Sequence, residues 1–248
     1  MLAELVPPAV VTVEAYDDVA PVELFPEEQA VIARAVDKRR REFTTVRGCA
    51  RQALSHLGFE PVPILPGQRG APRWPAGVVG SMTHCEGYRA SALALDRHVR
   101  TVGVDAEPDA PLPEGVLDAI ALTEELAMLR ELTASAPGVH WDRLLFSAKE
   151  AVYKAWFPLA VKWLDFSEAR IAIDPAGTFE ATLLVPGPET PEGPLTGFSG
   201  RWLARRGLLL SSIVVTVPAA GEGSAVSGDS GQGVAERGEE PALGAVSE

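Results

Sequence analysis

Residues 144–156 read LLFSAKEAVYKAW. No Gly or Pro interrupts the run, and Leu, Ala, Lys and Glu are good helix formers. The pattern predicts a helix from about Trp141 to Phe157, stopped by Pro158. At about 100° per residue, Leu144, Ala148, Ala151, Val152 and Ala155 form one apolar stripe. Ser147, Glu150 and Lys154 fall on the opposite side, bordered by Phe146, Tyr153 and Phe157. A Glu–Lys pair four residues apart is an ordinary surface feature worth a few tenths of a kcal/mol. Aromatic flanks argue against a plainly solvated face and leave two readings open: the charges pair with each other, or they face something charged that is not protein.

A second stretch bears on the same question. In VGVDAEP, residues 102–108, a strand would send Asp105 and Glu107 to one side, two residues apart. Paired carboxylates repel, and a hard cation such as Mg²⁺ relieves the repulsion through oxygen ligands. A solvated strand end is the plainer reading of the same spacing. His84 follows the strand-like VVGS. Arg39, Arg47 and Arg69 fall on a helix end, the next helix and a Pro/Gly-rich loop. Each alone is an unremarkable surface residue; together with His84 and Lys154 they would suit a polyphosphate.

The rest of the chain frames these motifs. A first strand is expected at 9–15, a helix from Pro26 to about Phe43, and a second from Thr45 to Leu57. PVPILPGQRGAPRWPAG, 61–77, is too long for a mere connector, and such loops are often functional. Strands are expected around 78–84, 88–96 and 99–107. Helices are expected at Glu114–Ala121 and Glu124–Leu132, with Thr123 as N-cap. Strands return at 169–174, 178–185, 196–204 and 208–217. Segregated helices and strands indicate α+β rather than alternating α/β, and the second half repeats the element order of the first. From Pro218 onward the chain is rich in Gly, Ser and Glu and is expected to be a disordered acidic tail.

Composition limits the function classes. The 248 residues are 46% hydrophobic and 23% charged, enough for a substantial core. No apolar run is long enough for a transmembrane helix, and no signal sequence is evident at the N-terminus. Cys49 and Cys85 alone make neither a disulfide framework nor a cysteine-rich zinc site. A cytoplasmic protein without membrane association is expected. The net charge of −12 argues against general nucleic-acid binding. The segment from Arg34 to Arg51 reverses the sign locally, which allows an anion pocket.

GSMTHCEGY, VGVDAEP and FSAKEAVYKAW, in this order, resemble the signature motifs of the Sfp/EntD-type 4′-phosphopantetheinyl transferases. KRRREFTTVRGCAR, GAPRWPAG and HWDRLLFSAKEAVYKAWFPL extend the likeness to the actinobacterial, carrier-protein-activating branch, over roughly residues 20–217. The resemblance implies a pseudo-dimer of two similar α+β halves, here 1–103 and 104–217, with coenzyme A in the cleft between them and the tail at 218–248. It implies transfer of 4′-phosphopantetheine from coenzyme A to a serine of apo acyl or peptidyl carrier proteins of polyketide, non-ribosomal peptide or lipid synthesis, with Mg²⁺ and release of 3′,5′-ADP. By position, Asp105, Glu107 and Glu150 match the metal ligands. Glu150 or Glu107 matches the general base, and Lys154 the residue that stabilises the leaving phosphate. His84 matches the phosphate-contacting histidine, and Arg39, Arg47 and Arg69 the groups at the 3′-phosphoadenosine end. Ser81, Met82 and Thr83 match the adenine side, and Lys149 is expected near the cofactor. Ala106 departs from the larger side chains of other branches, and water is expected to fill the coordination position it cannot.

Carrier proteins are acidic and helical, so Lys149, Tyr153, Trp156, Phe157 and Lys162 are candidates for transient docking. A pseudo-dimer is expected to be a monomer. Two other readings remain open from the residues: a coenzyme A sensor without transfer activity, and a different Mg²⁺-dependent nucleotide enzyme such as a pyrophosphohydrolase.

Overall fold

The computed structural model describes residues 1–19 and 21–218. The tail expected from 218 lies, apart from Pro218, outside the described residues. Two antiparallel sheets form the framework. The first contains β1 (Val10–Ala15), β2 (Val78–Cys85) and β3 (Tyr88–Leu95) in the order β1-β3-β2. The second contains β4 (Val99–Pro108), β5 (Ala169–Asp174), β6 (Thr178–Leu183), β9 (Gly197–Arg205) and β10 (Leu208–Thr216) in the order β4-β10-β9-β6-β5. A two-residue ribbon, β7 (Glu189–Thr190) with β8 (Gly193–Pro194), sits between β6 and β9 in the chain.

The two halves share a topology. In the first, a strand leads through a 20-residue helix, α2 (Asp37–His56), to the hairpin β2–β3, whose last strand pairs with β1. In the second, β4 leads through the 20-residue α5 (Trp141–Ala160) to the hairpin β9–β10, whose last strand pairs with β4. The β5–β6 hairpin is an addition on the far edge of the second sheet. The repeated element order of the sequence is therefore a repeated α+β fold. The sheets divide in the turn before Val99, so a boundary at 103/104 would cut through β4.

Ordinary amphipathic patterning builds the second half. β5 and β6 alternate buried and exposed along their length, so one face packs on the core under α5 while the other meets solvent. β4 is different, with Val102, Val104 and Ala106 all buried as well as Asp105. It lies between α5 and the edge strand β2. Its N–H groups at Val104 and Ala106 donate to Ser81 Oγ at 3.1 Å and Thr83 Oγ1 at 3.0 Å. Two side chains of β2 thus take the place of the missing ladder partner and join the sheets.

Three local expectations are revised. The helix predicted to run from 26 to 43 breaks earlier, into α1 (Pro26–Val31) and α2, and α2 continues straight through Phe43–Thr45. Thr44 Oγ1 donates back to Arg40 O at 2.7 Å and does not interrupt the helix. The preceding turn is held by Arg40, which donates to Ala33 O and Ala35 O. Thr123 is not the cap of α4 (Thr123–Ser135). Leu122 is, and the Glu125 carboxylate accepts its N–H at 2.7 Å. The short α3 (Val116–Ile120) precedes it. Pro158 does not stop α5 either. The helix runs one further turn to Ala160 and ends at Val161, which has φ 51°.

Candidate active site

The position of α5 on β4 is set by a glycine. A Cβ on Gly103 would stand 2.0 Å from Ala151 O and 2.7 Å from Ala155 N, so only glycine lets the helix backbone approach so closely. Thr101 Oγ1 fastens the same contact by donating to Ala155 O at 2.9 Å. This close approach brings Glu150 and Lys154 of α5 over Asp105 of β4.

Lys154 does not pair with Glu150. Its ammonium lies 2.7 Å from Asp105 Oδ1 and 3.2 Å from Val104 O. Asp105 is buried and also accepts from Thr83 Oγ1 at 3.3 Å. Its second oxygen, Oδ2, is buried without a hydrogen-bond partner. Glu107 turns to Arg143 of α5, whose Nη1 is 3.0 Å from Oε2. Burial raises the Glu107 carboxyl above its ordinary range and the nearby Asp105 charge adds to this, against the lowering by Arg143. Burial likewise raises Glu150; Lys154 opposes the rise and Asp105 reinforces it.

As they stand, no three His, Cys, Asp or Glu side chains among the described residues gather into a metal cluster. The two basic side chains, Lys154 and Arg143, hold Asp105 and Glu107. The donor set nevertheless suits a hard cation: carboxylate oxygens only, two acids raised by burial and by the neighbouring Asp105 charge, and an orphaned buried oxygen on the third.

Beside these acids lies a cleft of about 560 Å³ between α2, the 61–77 loop, β2 and α5. Arg39, Arg47, Arg69, His84 and Lys154 line it, and Glu150 is the one acid among the lining residues described. Ser81 and Met82 also reach the cleft, whereas Thr83 does not and is occupied between β4 and Asp105. Arg39 Nη1 is 2.5 Å from His84 Nε2. Burial, then Arg39, lowers the His84 pKa.

Arg47 is mostly buried; it donates to Ile64 O at 3.0 Å and stacks on Phe43. Desolvation pulls its pKa down to about 10, against the pull of Glu28. Arg69 is placed differently. Its guanidinium lies 5.0 Å from the Trp163 ring centroid, on a backbone with φ 53°.

Lys149 is not in this cleft, which corrects its expected place beside the cofactor. Its ammonium is buried 2.9 Å from Glu125 and donates to Phe166 O and Ala169 O, so its three N–H groups are spent inside the fold. Ser147, expected on the polar face, is fully buried. Of the expected docking residues, Trp156 and Phe157 are buried, and Trp156 Nε1 donates to Lys162 O. Lys162, also expected there, is exposed, and Val161 and Trp163 flank it on the surface.

Sequence reasoning passed over Arg143 and Glu42. Arg143 stands seven residues before Glu150, two turns back on the same helix face. Glu42 stands three residues after Arg39, again on the same face. Helical spacing from the residues already singled out is the signal that finds both.

Comparison with known proteins gives a consistent result. Residues 27–94 match the family model described as 4′-phosphopantetheinyl transferase N-terminal domain, and residues 101–194 match that of the 4′-phosphopantetheinyl transferase superfamily. The chain is 56% identical to the 4′-phosphopantetheinyl transferase Svp of Streptomyces mobaraensis, over 88% of this chain and 91% of that one. It is 48% identical to Npt of Nocardia iowensis, over 86% and 99%. It is 49% identical to PptT of Mycobacterium tuberculosis, over 82% and 90%. Both relatives carry the same transferase name.

Proposed function

The chain belongs to the 4′-phosphopantetheinyl transferase superfamily, and on that premise we propose how its cleft carries out the reaction. The enzyme transfers 4′-phosphopantetheine from coenzyme A to carrier proteins. The observation that carries the assignment of roles is the cleft itself: five basic or imidazole side chains line one cavity that opens onto Glu150.

Arg39, Arg47 and Arg69 hold the 3′-phosphoadenosine end, where planar guanidinium groups match phosphate geometry. Ser81 and Met82 border the adenine. Asp105, Glu107 and Glu150 would hold Mg²⁺, which when bound supplies charge neutralisation and Lewis acidity at the pyrophosphate.

The carrier serine Oγ forms the new P–O bond to the phosphorus that bears the pantetheine. The pyrophosphate P–O bond breaks, and 3′,5′-ADP leaves. Glu150 receives the serine proton on a carboxylate oxygen. In the metal-free cleft burial raises the Glu150 carboxyl above its ordinary range, and a bound cation would lower it again. Lys154, held near by Asp105, offsets the negative charge that develops on the leaving phosphate. Positioning and electrostatics supply most of the rate enhancement.

We place the chain in the cytoplasm as a monomer acting transiently on carriers of polyketide, non-ribosomal peptide or lipid synthesis. Among the described residues no helix is long and apolar enough to cross a membrane. Neither a nucleic acid nor a membrane figures in this reading. Intact mass of apo acyl and peptidyl carrier proteins, after incubation with coenzyme A with and without Mg²⁺, tests it. A metal-dependent gain of one phosphopantetheine, lost when the carrier serine is replaced by Ala, is expected. Coenzyme A breakdown without carrier modification would instead identify a hydrolase.

A further inference from the structure

Glu42 is a buried acid in the most basic stretch of the chain, KRRREF at 38–43. Burying a carboxylate costs free energy unless charge or hydrogen bonding compensates. Its compensation comes from two strands of the first sheet. Oε2 is 3.5 Å from His84 Nδ1 on β2, and Oε1 is 3.8 Å from the Arg89 guanidinium on β3. Arg89 is itself fixed by Asp18 at 2.9 Å.

The far side of the imidazole faces the cleft. There His84 Nε2 meets Arg39 Nη1 at 2.5 Å. A guanidinium has donors and no acceptor. His84 Nε2 is therefore the acceptor, and the ring proton sits on Nδ1, toward Glu42. Which nitrogen of a histidine is protonated is set by the partner of the other. The Glu42 carboxylate, 3.5 Å away, favours the proton on Nδ1 electrostatically, which is the tautomer that Arg39 requires.

We propose that Glu42 is a positioning residue for phosphate binding: it keeps the proton on His84 Nδ1, so that Nε2 receives Arg39 and aims its guanidinium into the cleft. Glu42 lines no part of the cleft and acts only through His84. This rests on the reading above, in which Arg39 holds the 3′-phosphoadenosine end of coenzyme A in the cleft that His84 also lines.

The test combines calorimetric binding of coenzyme A with ¹⁵N NMR of the His84 ring in the full-length protein. Glu42→Met removes the acceptor at similar side-chain length. It should weaken coenzyme A about tenfold, the scale of one charge-assisted hydrogen bond. Glu42→Gln, whose amide oxygen still accepts, should stay within about threefold of wild type. In a His84→Ala background Glu42→Met should change affinity by less than about twofold, because coupled residues are not additive. The His84 ring should read as protonated on Nδ1 in wild type and as a mixture in Glu42→Met. An undiminished Glu42→Met effect without His84, or an unchanged tautomer, would overturn the proposal. If wild type fails to bind coenzyme A, the reading of the cleft falls, and the tautomer measurement alone decides the role of Glu42.

Discussion

The Lys154 ammonium rests 2.7 Å from Asp105 Oδ1, not on Glu150 one helical turn away. Strand β4 and helix α5, from different parts of the chain, are thereby joined through one ion pair. The pair is unequal: the Asp105 side chain is 6% exposed and that of Lys154 26%. Removing the lysine leaves a buried carboxylate with one oxygen already unpartnered. Lys154→Met should therefore cost about 2 kcal/mol, below the ~3–5 kcal/mol of a fully buried pair because Lys154 is partly solvated. The melting temperature should fall by about 4–8 °C. Lys154→Met/Asp105→Asn should recover much of that stability while remaining inactive. A double variant no more stable than the single one would show that the pair contributes nothing to folding.

Glu150→Gln should lower turnover by about 10²-fold or more, the range for loss of a general base. With the arginines in the nucleotide-holding role proposed above, coenzyme A affinity should change by only a few fold. Single-turnover rates and calorimetric binding separate the two effects. Unchanged turnover would remove Glu150 from the proton transfer and return that duty to Glu107.

The raised carboxyls also predict a stability signature. A carboxylate whose folded pKa lies above its unfolded value binds more protons in the native state than in the unfolded one. Its contribution is most favourable below the unfolded value of about 4.5 and is lost as pH rises through the folded value. Glu150→Gln should therefore melt above wild type at pH 8, and the advantage should shrink as pH falls toward the ordinary carboxylate range. Thermal melts of both proteins across this window, without added metal, measure the difference directly. A gain that grows toward acid pH would contradict the raised pKa. The native protein thus carries a local instability at the group proposed as general base.

Much of this site is legible in the sequence, and what is not has a common cause. The strand VGVDAEP and the helix around FSAKEAVYKAW follow from local periodicity, and so does the apolar stripe from Leu144 to Ala155. Lys149 escaped because its partner, Glu125, comes from another helix. The buried pair they form leaves no trace in the periodicity of α5. Ser81 and Thr83 look like site residues because they lie in a motif, yet their hydroxyls complete the hydrogen bonding of β4. The break before Asp37 has no Gly or Pro to mark it. It is fixed by a side chain, Arg40, that reaches back to carbonyls five and seven residues earlier. Local propensity fixes elements, whereas partners distant in sequence decide which polar groups remain free for chemistry.

Gly103→Ala should test how closely the two elements must pack. The added methyl would meet α5 backbone, which cannot yield as a flexible side chain would. A cost of about 2–3 kcal/mol is expected, with turnover reduced more than coenzyme A binding, because Glu150 and Lys154 shift from Asp105 while the arginines of the first half stay in place. Equal loss of both parameters would indicate general unfolding rather than displacement of the helix.

Arg47 and Arg69 should respond differently although both line the cleft. Arg47 is built into the fold through Ile64 O, the Phe43 ring and nearby Glu28. Arg47→Ala should lower the melting temperature as well as coenzyme A affinity. Among the described residues the Arg69 side chain has no hydrogen bond or ion pair and lies near an exposed aromatic ring, Trp163, so Arg69→Ala should weaken coenzyme A at almost unchanged stability. Ala at φ 53° keeps the backbone as unfavourable as Arg does, whereas Gly accepts that conformation readily. Arg69→Gly should therefore melt above Arg69→Ala while binding no better. Titration of both proteins with coenzyme A and its 3′-dephospho form completes the test. If the guanidinium serves the 3′-phosphate, both Arg69 variants should lose the preference for coenzyme A; if that preference survives, Arg69 contacts another part of the nucleotide.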